Sequence, residues 1–231
     1  MSSVSSVVNL FSQSAVVAAV KRDLAALAEW KTPAIRRVRR TYAKALSQAP
    51  AAMVTRLVVK LAASGDWARR VVAFELLASH QPAFNALDAA TIDRLSSGLS
   101  DWGSVDLFGV TISGPAWREG LLSDRTISRW VKSPDRWRRR LALVSTVPLN
   151  ARSRGGGGDT VRTLRVCRAL IGDRDPMVVK AMSWALRELA KRDPATVRQF
   201  VATHDQDLPA LVRREVRNKL TTGRKSPPLG R

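Results

Sequence analysis

Asp66-Trp67-Ala68-Arg69-Arg70-Val71-Val72-Ala73 decides the fold, because its signature returns along the chain. Asp135-x-x-Arg138-Arg139-x-x-Ala142 repeats it closely. Asp175 leads into Val178-Val179-Lys180-Ala181, Asp207 into Val212-Arg213-Arg214, and Asp101 falls in the same series. Each aspartate stands where a helix should begin, since its carboxylate can accept the orphan N–H groups of a first turn. The starts lie 32 to 40 residues apart, the period of a two-helix unit that stacks on its neighbours. The sequence therefore predicts an all-α, HEAT-like helical-repeat solenoid (an α-α superhelix). An irregular helical bundle is the alternative.

Working outward, apolar residues recur at three- and four-residue spacing nearly everywhere. Helices are predicted over 16–27, 34–46, 51–63, 66–79, 89–99, 124–132, 134–147, 159–171, 176–191, 194–204 and 208–220, with no strand. Thr32-Pro33 reads as an N-cap followed by an N1 proline. The run Ala151-Arg-Ser-Arg-Gly-Gly-Gly-Gly158 reads as a flexible loop, with Asp159-Thr160 capping the next helix. No Lys-Ser/Thr follows the glycines and no strand precedes them, so they are not a phosphate-binding Walker loop. One repeat domain over 1–220 and a disordered basic tail over 221–231 are expected.

The 231 residues carry 39 Lys and Arg against 19 Asp and Glu, for a formal charge of +20. Up to Leu122 there are 14 cations and 9 acids, and from Ser123 onward 25 and 10. A field of that sign points to a polyanion such as nucleic acid. A solvated Arg-rich surface and an anionic membrane are the other readings. No basic region precedes the apolar run before Val20, and no uninterrupted apolar stretch reaches the length of a membrane span. With Cys167 alone, no internal disulfide can form, and a reducing cytosol is expected.

Two distant histidines, His80 and His204, one cysteine and scattered acids leave no metal cage and no Ser-His-Asp or Cys-His arrangement in view. One chemistry needs none of these. An N-glycosidic bond to a cationic base breaks without a general acid, because the base departs neutral. A single carboxylate stabilises the oxocarbenium-like sugar that forms. Indole faces hold cationic groups, and arginines grip phosphates. The chain has seven tryptophans, five of them between Trp102 and Trp184.

The order Trp102-Gly-Ser-Val-Asp106, Trp130, Trp137-x-x-Arg140 and Lys180-Ala-x-x-Trp184-x-Leu-Arg187-Glu188 resembles the AlkD-type DNA alkylation repair glycosylases. Lys31-Thr-Pro-Ala-Ile-Arg36 and the stretch from Asp66 to Leu77 extend the resemblance over about residues 25–215. It implies a HEAT-repeat enzyme that excises N3- and N7-alkylated purines from duplex DNA without flipping the base into a pocket. By the match, Asp106 is the catalytic aspartate, Trp102 and Trp184 are its indole walls, and Arg140 and Arg187 grip DNA. Arg139 and Lys180 are further DNA-binding candidates. These residues come from separate repeats, so the expectation includes a concave basic groove. Trp130 and Trp137 are expected to pack between repeats. Gly103 departs from the family, which commonly carries an acid there. No cofactor, no metal, a cytoplasmic (bacterial cytosol and nucleoid) location and a monomer complete the expectation. A non-catalytic relative that binds bent or branched DNA, and a protein-binding scaffold, are the alternatives.

Overall fold

The computed structural model describes residues 12–63 and 65–226, and among these there is helix and turn but no strand. Residues up to Ile112 form one compact unit and those from Ser113 onward form a second. The first holds α1 (Gln13–Ala25), α2 (Thr32–Ala45), α3 (Ala51–Ala62), α4 (Trp67–Ser79), α5 (Gln81–Asn85), α6 (Ala89–Leu95) and α7 (Trp102–Phe108). A π-helical turn, Gly109–Ser113, continues the backbone into α8 (Gly114–Arg118) of the second unit. That unit goes on with α9 (Asp124–Val131), α10 (Arg136–Val144), α11 (Val147–Asn150), α12 (Thr160–Ala169), α13 (Pro176–Leu189), α14 (Pro194–Thr203) and α15 (Ala210–Thr222).

Four of the five aspartates cap as expected. Asp66 accepts from the Arg69 amide at 3.0 Å, Asp101 from Ser104 at 2.8 Å, Asp135 from Trp137 at 2.9 Å and Asp175 from Met177 at 2.8 Å. Asp207 does not cap: α15 starts at Ala210 behind Pro209. A residue preceding proline is pushed out of the helical region, so Leu208 cannot begin the helix. Likewise Thr32 is the first residue of α2, with Lys31 as its cap and Pro33 in its first turn. The helical run from Trp102 to Arg118 was not in the predicted set, because Gly103, Gly109, Gly114 and Pro115 weaken its signal. Pro115 supplies no N–H to the preceding turn, and a wider π turn is one way a helix absorbs such a gap.

In the first unit α4 is central, packing on α2, α3, α5 and α7. Phe74 of α4 meets Phe108 of α7 edge-on, with centroids 5.0 Å apart. In the second unit α13 packs on α10, α11, α12 and α15. Ala181, Met182, Ala185, Leu186 and Leu189 of α13 are fully buried. A buried side chain of Leu or Met size contributes about 1.5–3 kcal/mol by leaving water.

The glycine segment is a correction to the expected flexible loop. Arg152–Arg154 form a short 3-10 turn, and the Gly158 amide donates to the Leu149 carbonyl at 2.9 Å. Arg118 donates to the Arg154 carbonyl at 2.7 Å, and Arg192 donates to the carbonyls of Asn150 (2.8 Å) and Gly156. Gly156 is buried, and a Cβ there would stand 2.4 Å from the Pro148 carbonyl oxygen. Glycine is required at 156 by close approach of backbone, and two arginines pin the segment. At the C-terminal end, α15 reaches Thr222 and Gly223 closes it in the left-handed region at φ 71°. Of the expected tail, residues 227–231 lie outside the described residues, as do residues 1–11.

Candidate functional site

The N-terminus of α7 is built by a buried arginine. Arg70, on α4 and 6 % exposed, donates to Ser104 Oγ at 3.0 Å, to the Gly98 carbonyl at 2.9 Å and to Asp101 at 3.3 Å. Asp101 is at once the cap of α7 and the partner of Arg70, so helix start and helix position are set together. Ser104 is buried, and Trp102 and Asp106 each lie about 160° round the helix from it. Trp102 is 63 % exposed, the most exposed tryptophan described, and Asp106 is half-buried. At i and i+4 their side chains are neighbours on one helix face. A half-buried carboxylate beside an exposed electron-rich ring is suited to meet a cationic, flat ligand.

Gly103, the departure noted in the sequence, lies under Trp67. A Cβ on Gly103 would be 3.2 Å from Trp67 Cζ3 and 3.3 Å from Asp101 Oδ1. The indole of Trp67, 37 % exposed, thus rests on the first turn of α7.

The remaining sequence candidates belong to the second unit. Lys180, Trp184 and Arg187 follow one another on α13 at i, i+4 and i+7, along a single stripe. Lys180 is exposed, whereas Trp184 and Arg187 are half-buried. Arg187 donates from Nε to Ser183 Oγ at 3.2 Å and lies 3.7 Å from Glu215. Glu215, 8 % exposed, also accepts from Ser183 at 2.6 Å and pairs with Lys225 at 3.4 Å. Burial lowers the Arg187 pKa from its ordinary value, against the charges of Glu215 and Glu188, which raise it.

Arg139 donates to Asp173 at 2.6 Å and to the carbonyls of Ser133 and Pro134 at 3.0 and 2.8 Å. Arg140, 5 % exposed, donates to the Met177 carbonyl in the first turn of α13. Both guanidiniums are therefore engaged within the protein. Trp130 is buried with the Arg138 guanidinium 5.8 Å from its ring, and Trp137 is half-buried with Arg136 at 5.0 Å.

One basic surface was missed. Arg125, Arg129 and Lys132 share one side of α9 and its C-terminal loop, and with Ser128 and Ser133 they line an open cleft of about 680 Å³ that has no acidic wall. Their i, i+4, i+7 spacing is legible in the sequence, but it was hidden among many other arginines.

His80 caps α5 by accepting the Ala83 amide at 3.1 Å, and His204 lies 3.6 Å from Asp207. Burial pushes the Cys167 thiol up to about 12. Among the described residues no three His, Cys, Asp or Glu side chains come together as a metal site, and no helix is long and apolar enough to cross a membrane.

A family model described as DNA alkylation repair enzyme matches residues 16–220. No curated protein sequence matches the chain.

Proposed function

Because the chain belongs to the DNA alkylation repair enzyme family, we propose that it is a monofunctional DNA glycosylase of the AlkD type, acting on duplex DNA that carries cationic N3- or N7-alkylated purines. The observation that carries the proposal is the pairing of exposed Trp102 with half-buried Asp106 on one turn of α7. In this reading the bond between the sugar C1′ and the purine nitrogen breaks with its electron pair going to the base. The base was cationic and leaves neutral, so no proton donor is needed. The Asp106 carboxylate stabilises the positive charge that grows on the sugar and orients a water that adds to C1′. The water's proton passes to solvent. The products are a free alkylpurine and an abasic site. Trp102 sets its indole face against the lesion nucleotide, and Trp184 is proposed as a further indole contact to the DNA.

Within each unit, second helices pack on successive second helices: α2 on α4 and α4 on α7, then α10 on α13 and α13 on α15. That regularity supports reading the helix pairs of each unit as HEAT-like repeats. Lys180 and Arg187, from the α13 stripe, are proposed to contact phosphates. Arg139 and Arg140 join them as proposed DNA-binding residues whose protein partners hold the guanidiniums in fixed places. Phosphate contacts of this kind give affinity that falls steeply with salt and carries little sequence preference. A monomer suffices for this chemistry.

The test is a duplex with one 7-methylguanine, assayed for free base and for an abasic site. Release of both is expected. Tight, salt-sensitive duplex binding with no base released would overturn the catalytic reading in favour of a non-catalytic DNA-binding relative.

A further inference from the structure

We propose that Trp67 is a third indole of the Trp102–Asp106 site, contacting the cationic purine nucleotide, and that Gly103 is the residue that makes room for it. The inference rests on the proposed function and adds a specificity-determining residue to it. Three observations carry it. The ring of Trp67 lies on the backbone at Gly103, close enough that even a Cβ there would force it to shift. The ring is nevertheless 37 % exposed, and the neighbouring Trp102 is 63 % exposed. A large apolar side chain left open to water beside another is a feature of binding surfaces rather than of cores. Finally, among the described residues neither indole N–H has a protein partner, whereas buried Trp117 donates to Asp124 at 2.7 Å.

Helix geometry ties these rings to the carboxylate. A helical side chain leans toward the N-terminus, over the residues three and four positions before it. Asp106 therefore leans toward positions 102 and 103. One carries the Trp102 indole, and the other carries no side chain of its own and is covered by Trp67. The lean of Asp106 is therefore toward both indoles. A Cβ at 103 would stand 3.2 Å from the second ring and 3.3 Å from Asp101 Oδ1, tighter than ordinary contact, so the glycine lets Trp67 lie where it does.

The test uses the full chain as wild type, Trp67→Ala, Trp67→Phe and Gly103→Ala, with single-turnover release of 7-methylguanine from a defined duplex. Loss of base–aromatic stacking predicts release slowed about tenfold or more for Trp67→Ala. Trp67→Phe should recover most of that loss, and Gly103→Ala should fall between. A Trp67→Ala protein that melts like wild type and releases base at the wild-type rate overturns the inference. If Trp67→Ala does not fold, the indole N–H resonances decide. The Trp67 signal, identified by its absence in Trp67→Phe, should move when the 7-methylguanine duplex is added to wild type, while that of Trp117 stays. An unmoved Trp67 signal overturns the inference. Wild type that releases no base while the Trp67 signal moves removes the glycosylase reading and leaves the DNA contact standing.

Discussion

The junction of α4 with α7 and the junction of α10 with α13 solve one problem with the same residue type. In the first, Arg70 reaches from α4 to Ser104, Gly98 and Asp101 at the start of α7. In the second, Arg140 reaches from α10 to the Met177 carbonyl and Arg139 to Asp173, both at or just before the start of α13. The difference lies in what the positioned helix presents. Helix α7 shows an open tryptophan and a carboxylate, whereas α13 shows a stripe of Lys180, Trp184 and Arg187. Arginine density in this chain therefore reports how helices are tied together, and not only an affinity for polyanions. The distinction matters because a charge of +20 invites every arginine to be read as a DNA contact.

The comparison is broken most easily at the arginines. Arg70→Ala should lower stability by about 3 kcal/mol, since it strands a buried network around a partly buried ion pair. Arg140→Ala should lower it by about 2 kcal/mol through loss of charged hydrogen bonding. Urea unfolding measures both. If Arg140→Ala keeps full stability, its bond to Met177 does not hold the junction and the two junctions are not equivalent.

Gly156→Ala should cost about 2 kcal/mol by overpacking against the Pro148 carbonyl, measured in the same way. An unchanged midpoint would mean that the arginine-pinned segment yields easily. The smallest expected effect belongs to exposed Lys180. Lys180→Gln should leave stability within about 0.5 kcal/mol and reduce the slope of log affinity against log salt by about 1. An unchanged slope would remove Lys180 from the interface.

Much of the architecture was legible in the sequence because a capping aspartate followed by a helical apolar stripe has one inexpensive solution. Asp66, Asp101, Asp135 and Asp175 all cap. Asp207 failed because Pro209 moves the helix start. Asp101 marked the start of the run from Trp102 to Arg118, but its extent was illegible because its glycines and Pro115 look like breakers until packing of α7 on α4 and of α8 on α11 outweighs them. The glycine loop misled in a different way, since the donors that fix it, Arg118 and Arg192, are far from it in sequence. At the site, the i, i+4 spacing of Trp102 and Asp106 was readable. The place of Trp67 was not, because a sequence does not show which ring settles on Gly103. For Arg139 and Arg140, the rotation of about 100° per residue says that they point apart. It does not say that Asp173 and Met177 await them.

The most direct measurement is single-turnover release of 7-methylguanine by wild type and by Asp106→Asn, with duplex affinity measured alongside. The account predicts release slowed at least about 100-fold, the loss expected on removing a charge that stabilises the transition state, with affinity for unmodified duplex retained. Release by Asp106→Asn at the wild-type rate would contradict it and would take the chemistry away from α7.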